Sequence, residues 1–179
     1  CALPALGGPG LNAFMEVVEV FADVACPFAH VGLAEFARRR DAAGRTDVIL
    51  RVRAWPLELV NGAPLDAHAI AGKAHALREQ LRTDLFDGFS PDTFPTTSIP
   101  AMALTAAAYR RDPEMGERVA LELRALSFGR GVDISNERVL DDLAQRYGVV
   151  VTPDDVAEVH ADWEEGRRRG VVGSPHFFT

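Results

Sequence analysis

Two runs of strand periodicity with one helical run between them constrain this chain more than any other feature. From Glu16 to Ala22, Val, Glu, Val and Phe follow one another as in a strand. From Asp47 to Trp55, Val48, Leu50, Val52 and Ala54 alternate with Arg51 and Arg53, until Pro56 stops the pattern. Between them, from Cys26 to Arg40, apolar residues recur at helical spacing. A helix separating two strands makes the unit βαβ, with the strands parallel and the crossover right-handed.

The first junction of that unit carries the most pointed chemistry. In Phe21-Ala22-Asp23-Val24-Ala25-Cys26-Pro27-Phe28-Ala29-His30 the apolar strand ends at a Cys-Pro pair and the helical pattern begins on the next residue. A cysteine at the first turn of a helix faces unpaired backbone N–H groups and the positive end of the dipole, and both favour thiolate over thiol. Pro27 suits the turn, because its fixed φ matches the helix and its missing N–H would have had no partner there. The fourth position of this would-be Cys-x-x-Cys is Ala29, so Cys26 has no resolving thiol in the motif. His30, four positions on, is placed for an imidazolium to help hold a thiolate, or else is a half-exposed helix histidine. Asp23, Glu35 and Glu58 are candidate bases by proximity in sequence, with Asp23 foremost because it enters the turn before Cys26.

After the second strand the pattern changes. From about Leu65 to Gly170 the chain is rich in Ala, Leu, Glu and Arg with helical periodicity and no clear strand. Helices are expected over Asp66 to Leu85, Ile99 to Arg111, Pro113 to Phe128, Asn136 to Tyr147 and Pro153 to Arg169. Thr152 before Pro153-Asp154-Asp155 reads as an N-cap, Ser135 as the cap of the helix after it, and Gly148 and Gly170 as C-terminal caps. Asp87 to Pro100, with its prolines and phenylalanines, is the one long irregular stretch and the expected mobile cover of a cleft. The final run, Val171 to Thr179, reads as a loop entering a strand.

Composition narrows the function classes. At 179 residues, 47% hydrophobic and 25% charged, the chain has enough apolar material for a folded domain, and no apolar run reaches membrane-span length. A formal charge of -7 argues against nucleic acid, which needs a basic surface. Arg167-Arg168-Arg169 suits the end of a helix instead. Two cysteines, Cys1 and Cys26, make no disulfide framework, which points to a reducing compartment and to the cytoplasm. His68, His75 and His160 lack the spacing of a metal pair, so no metal site is expected. Residues 1–14 lack a basic n-region and are broken by Gly and Pro, reading as an N-terminal extension or an expression remnant.

Four segments together resemble the DsbA-like branch of the thioredoxin superfamily, which includes FrnE-type oxidoreductases, 2-hydroxychromene-2-carboxylate isomerases and kappa-class glutathione transferases. They are Asp23-Val24-Ala25-Cys26-Pro27-Phe28 with Gly32, Arg53-Ala54-Trp55-Pro56-Leu57-Glu58 with Asn61-Gly62, the long helical middle, and Gly170-Val171-Val172-Gly173-Ser174-Pro175-His176-Phe177. The resemblance implies an α/β fold, a thioredoxin-like βαβ…β sheet with a large all-helical insertion. The split domain would comprise 15–60 and 170–179, with 61–169 inserted. It implies that the last strand runs antiparallel beside the first unit, and that a terminal strand and helix are missing from this chain. The exposed edge would then be covered by further chain or by a partner, such as the second copy in a homodimer. X-Pro bonds are cis in only ~5–6% of folded cases, so sequence alone predicts trans; the resemblance implies a cis Ser174-Pro175 bond facing Cys26.

The site implied is Cys26 as reactive thiol, with Pro27, Phe28, His30, Ser174, Pro175 and His176 binding thiol or substrate. Ala29 replaces the family's second cysteine and His176 a small residue. The leading expectation is a thiol-disulfide oxidoreductase with a single active-site thiol, acting on a small-molecule thiol or a protein disulfide. It would hold no tightly bound cofactor and take a low-molecular-weight thiol as co-substrate. One alternative is a thiol-dependent transferase or isomerase of the hydroxychromene-carboxylate or kappa type, with Phe28, Trp55, Phe89 and Phe94 lining a pocket. Another is a binding domain whose redox motif has decayed. Cys26 is expected to be partly reachable by solvent, beneath a cleft between sheet and helices.

Overall fold

The computed structural model describes residues 15–178, so the N-terminal segment with Cys1, and Thr179, lie outside it. Strand β1 (Glu16–Ala22) leads through a short turn into helix α1 (Pro27–Ala42) and strand β2 (Val48–Ala54). There follow helices α2 (Leu57–Asn61), α3 (Ala67–Leu81), α4 (Ile99–Arg111), α5 (Pro113–Arg124), α6 (Glu137–Tyr147) and α7 (Pro153–Arg168), and then strand β3 (His176–Phe178). The sheet runs β2-β1-β3, with β1 parallel to β2 and antiparallel to β3. This is the expected βαβ unit with its returning strand, a thioredoxin-like fold that is mostly helical.

The helices are tied to the sheet through its outer strand. An edge strand presents unpaired N–H groups that invite pairing with another chain. Here the outward N–H groups of β2 donate to side chains instead: Leu50 to Glu117 Oε2 (2.7 Å), Val52 to Tyr109 Oη (2.9 Å) and Ala54 to Asp162 Oδ2 (2.8 Å). Tyr109 returns a bond to the Leu50 carbonyl at 2.7 Å. Three helices, α4, α5 and α7, thus supply the acceptors a further strand would have supplied. Two of those acceptors are paired in turn, Glu117 with Arg40 (2.6 Å) and Asp162 with Arg53 (2.5 Å). Gly116 permits this arrangement, because a Cβ there would sit 2.1 Å from the Tyr109 ring.

The cores follow the same logic. Val20, Ala22, Leu33, Leu50 and Val52 pack with Tyr109 and Ala120, so the sheet face is completed by α4 and α5. Val24, in the turn after β1, and Ala54, the last residue of β2, join the core of α4 to α7 in return. On the opposite face, Phe21 packs with Trp55 and Val171 against Trp163 and Phe178.

Several boundaries differ from expectation for local reasons. Helix α3 stops at Leu81, where Arg82 takes a left-handed φ of 50°, and Thr83 Oγ1 accepts the Leu85 N–H in a competing turn. The α-helical part of α5 ends at Arg124, and the chain widens into a π turn over Ala125–Gly129. Asn136, not Ser135, caps α6 by accepting the Arg138 N–H; Ser135 bonds Asp133 and Thr96. Thr152 caps α7 as expected, with Asp155 accepting its N–H at 2.7 Å. The short helix α2 has no periodic signal of its own in the sequence, being five residues long. No helix of the described residues is long and apolar enough to cross a membrane.

Candidate active site at the Cys26 turn

Strand β1 delivers the chain to a turn that ends with Cys26 as the N-cap of α1, in extended conformation (φ -89°, ψ 119°) and followed by Pro27. The Cys26 N–H donates to the Asp23 carbonyl (3.4 Å) and its C=O accepts the His30 N–H (3.0 Å). Its side chain does not fold back to cap the helix. The sulfur donates instead to the backbone oxygen of Ser174 at 3.2 Å. Ser174 is held at a second point, its Oγ accepting the Asp23 N–H at 2.9 Å. The Ser174-Pro175 peptide is cis, and the Pro175 ring rests on α1 at Gly32, where a Cβ would approach it to 3.2 Å. Residues far apart in sequence therefore form one site: a thiol, a carbonyl facing it, and a glycine that makes room for the proline between them.

Cys26 is only 4% exposed, against the expectation of a partly reachable sulfur. The reason is the Ser174 loop itself, whose carbonyl lies on the sulfur. Phe28, two residues after Cys26, is 48% exposed, and Val172, two residues before Ser174, is 90% exposed. Among the described residues the four aromatics expected to line one pocket are apart: Trp55 packs edge-on to Phe21, while Phe89 and Phe94 join Phe86, Phe128 and Ala25 in a core of their own. The same packing anchors the Asp87 to Pro100 stretch, where Phe94 is buried and Pro91–Thr93 forms a 3-10 turn. An apolar groove of about 760 Å³ runs between α4, α6 and the start of α7, lined by Ile99, Leu104, Leu140 and Val151, and Cys26 is not in its wall.

The charged neighbours sort themselves clearly. Asp23 is fully buried and accepts hydrogen bonds from the Ala25 N–H (2.7 Å), the Leu57 N–H (2.5 Å) and Ser98 Oγ (2.8 Å). Burial raises its carboxyl above the ordinary value, while those donors and the Arg124 charge oppose the rise. Glu35 lies on the outer face of α1, pulled down to about 2 by hydrogen bonds from Arg38 and Arg39. Glu58 accepts from Thr97 Oγ1 (2.9 Å) and the Ser98 N–H (2.6 Å), fixing the entry to α4. Of the three candidate bases, Asp23 alone lies in the Cys26 turn.

His30 plays neither of the roles the sequence offered. It is buried, stacked on Phe128 and edge-on to Phe86, with Nε2 3.0 Å from the Leu85 carbonyl. Desolvation, with a smaller contribution from Arg124, lowers it to about 4, so the ring is neutral at physiological pH. His176 pairs with Phe21 across the sheet and lies against Phe178, on the face that carries Phe21 and Trp55. Phe177 turns the other way and stacks on Phe36 of α1. His176 is thus on the face away from α1.

Sequence reasoning missed Arg124. It is 2% exposed, and its Nη1 donates to the Ala120 carbonyl (2.7 Å) and its Nη2 to the Asp23 carbonyl (3.2 Å). Burial pulls the guanidinium down to about 10, and the charges of Asp23, Tyr109 and Cys26 push it back up. Helical phase was the available signal, since Glu117, Ala120 and Arg124 recur at the spacing of one face and follow the apolar face of Gly116, Val119 and Leu123. Among the described residues no group of three or more His, Cys, Asp or Glu is placed to hold a metal ion.

A thioredoxin-like sheet, a cysteine at the N-cap position of its first helix and the Ser174 loop set against that cysteine together define a thioredoxin-like domain. The chain belongs to the DSBA-like thioredoxin domain family, which it matches over residues 17–179. No curated protein sequence matches it. Among solved structures it is similar to the cytosolic disulfide reductase DsbM from Pseudomonas aeruginosa, at 19% identity and TM-score 0.60, covering 90% of this chain and 83% of that one. That reductase has also been solved with GSH. A putative protein disulfide isomerase from Nitrosomonas europaea matches at 18% identity and TM-score 0.63, over 90% and 82% of the two chains. A 2-hydroxychromene-2-carboxylate isomerase matches at 14% identity and TM-score 0.66, over 91% and 85%. At these identities the likeness is one of fold.

Proposed function

We propose that this chain is a thiol-disulfide oxidoreductase that works through Cys26 as a single thiol, with a low-molecular-weight thiol such as glutathione as co-substrate. The observation that carries this is the placing of the Cys26 sulfur at the N-terminus of α1, 3.2 Å from the Ser174 carbonyl. The loop offers backbone polar groups beside the sulfur to an extended thiol or peptide, as a short added strand would. In the first step the Cys26 thiol attacks a disulfide; the Cys26–S bond forms, the substrate S–S bond breaks, and one substrate thiol leaves with the proton. In the second, an external thiol attacks the mixed disulfide, restoring Cys26 and releasing a new disulfide. Because position 29 is alanine, the second thiol comes from outside the Cys26-Pro27-Phe28-Ala29 motif, and the reading assigns it to the co-substrate. The scarcity of cysteine and the cytosolic DsbM neighbour support a reducing, cytoplasmic setting.

Ala29 also favours a second reading. With no resolving thiol in the motif, Cys26 serves to contact a bound co-substrate thiol that attacks an electrophile or assists isomerisation. The two are separated by asking whether sulfur chemistry turns over. In a Cys1→Ser background, Cys26→Ser is expected to lower glutathione-dependent reduction of hydroxyethyl disulfide by more than about a hundredfold. Ala29→Cys should let the glutathionylated protein release glutathione with no added thiol. Residues three apart on a helix start have Cβ atoms about 5–6 Å apart, close to disulfide reach once the non-helical Cys26 adjusts. Full activity in Cys26→Ser would sink the oxidoreductase reading.

A further inference from the structure

We infer that the cavity between α2 and α7, walled by Trp55, Leu59, Val60, Trp163 and Arg167, binds a small organic carboxylate with an apolar body. Its volume of about 410 Å³ lies at the lower end of what ligand sites hold, ~300–1,000 Å³. Cys26 is not in its wall, and nothing in the site draws on that sulfur. Helix α2 supplies Leu59 and Val60, and α7 supplies Trp163 and Arg167, four positions apart on one helix face. Trp55, the residue after β2, completes the wall; it is 4% exposed and rests on Gly166 of α7, where a Cβ would come within 2.6 Å of its six-membered ring. The ring edge that meets the glycine lies across from Nε1, so the N–H is turned away from that contact.

The polar side chains of this wall are all donors. Trp55 Nε1 and Trp163 Nε1 are both buried, and neither has an acceptor among the described residues. Buried polar groups are as a rule paired, so two orphans in one wall call for a common partner. Indole and guanidinium only donate, so none of the three can satisfy another. Arg167 also stands apart from its neighbours in sequence. Arg168 pairs with Glu165 and Arg169 with Glu19, whereas Arg167 makes no ion pair among the described residues. Its guanidinium lies over the Trp163 ring, 5.0 Å from the centroid, a stacking that holds the cation at the cavity and leaves its donors free. A carboxylate supplies what all three lack, since its two oxygens accept from the guanidinium and from an indole N–H together. One unpaired cation suits a single negative charge. Leu59 and Val60, the latter 45% exposed, leave apolar surface for a short chain or ring to cover. Both N–H groups are covered in the structure, so an entering carboxylate shifts the indole it bonds.

Trp55 and Trp163 are the only two tryptophans of the chain, so tryptophan emission of the native protein reads this cavity and nothing else. The probes are hexanoate and cyclohexanecarboxylate, with hexanol and hexylamine as neutral and cationic counterparts, each titrated through the millimolar range. A saturable change in emission is expected with either carboxylate. Hexanol and hexylamine should need at least about tenfold higher concentrations for the same change. Arg167 is exposed on α7, and its replacement leaves the packing of both indoles in place. Arg167→Gln is expected to weaken carboxylate binding about tenfold, and Arg167→Lys, which keeps the charge, by no more than about threefold. No response to either carboxylate overturns the proposal. Equal responses to hexanoate and hexanol overturn it too, since the cavity is then an apolar patch without a charge requirement. Undiminished carboxylate binding in Arg167→Gln does the same. The ligand comparison in the unaltered protein decides by itself should either variant fail to fold.

Discussion

Glu117→Ala is expected to destabilise the protein by about 3–5 kcal/mol, a large part of the roughly 5–15 kcal/mol that holds a domain folded. The Glu117 carboxylate is almost fully buried and accepts from two sources, the Leu50 N–H at 2.7 Å and Arg40 Nη1 at 2.6 and 2.8 Å. Removing it leaves the buried Leu50 N–H without its acceptor and the half-buried Arg40 guanidinium with, among the described residues, only Asp41 and the Val48 carbonyl. It also opens the edge of β2, which Glu117, Tyr109 and Asp162 together close. Glu117→Gln keeps an acceptor for Leu50 and is expected to lose less. Urea unfolding at neutral pH measures both, and a loss below about 1 kcal/mol for Glu117→Ala would show that the pair contributes no more than a surface bridge.

Acid should destabilise the fold through His30. In the folded protein His30 is lowered from 6.5 to about 4, first by desolvation against Phe128 and Phe86 and then by Arg124, with the Leu85 hydrogen bond opposing. Between those values the unfolded chain binds a proton that the folded chain refuses, so stability rises with pH across the window. The contribution is complete above about pH 6.5 and is lost progressively as pH falls toward 4, by on the order of 3 kcal/mol. His30→Phe keeps a ring against Phe128 and cannot titrate. Its urea midpoint should start lower at neutral pH, for want of the Leu85 bond, and then fall less steeply than the parent's below pH 6.5. The raised Asp23 carboxyl acts with the opposite sign but is common to both proteins, so the difference between the two curves isolates His30. Parallel curves would contradict the account.

What the sequence reveals here is what short-range signals encode. The βαβ unit is written in periods of two and 3.6, and the Cys26-Pro27 junction is a local cap, so both are legible from a few residues. The link from Cys26 to Ser174 is not local, and it became legible only through resemblance to a family. His30 was misjudged because what surrounds it, Phe86 and Phe128, comes from distant segments that no window around residue 30 contains. Glu117 and Arg124 were passed over because charged residues are rarely buried, although their helical phase set them beside Val119 and Leu123. The Asp87 to Pro100 stretch reads as loose because of its prolines, yet its phenylalanines pin it to Phe128.

The central claim is that Cys26, though nearly covered by the Ser174 loop, is a working thiol of the folded protein. Incubating the native Cys1→Ser protein with glutathione disulfide, followed by mass measurement of the intact chain and of its Cys26 peptide, tests it directly. The account predicts one glutathione joined to Cys26 without denaturant, removed on adding a thiol, and no adduct in Cys26→Ser. A Cys26 that stays unmodified until urea unfolds the chain would show that the sulfur is a buried core atom, and would contradict the account.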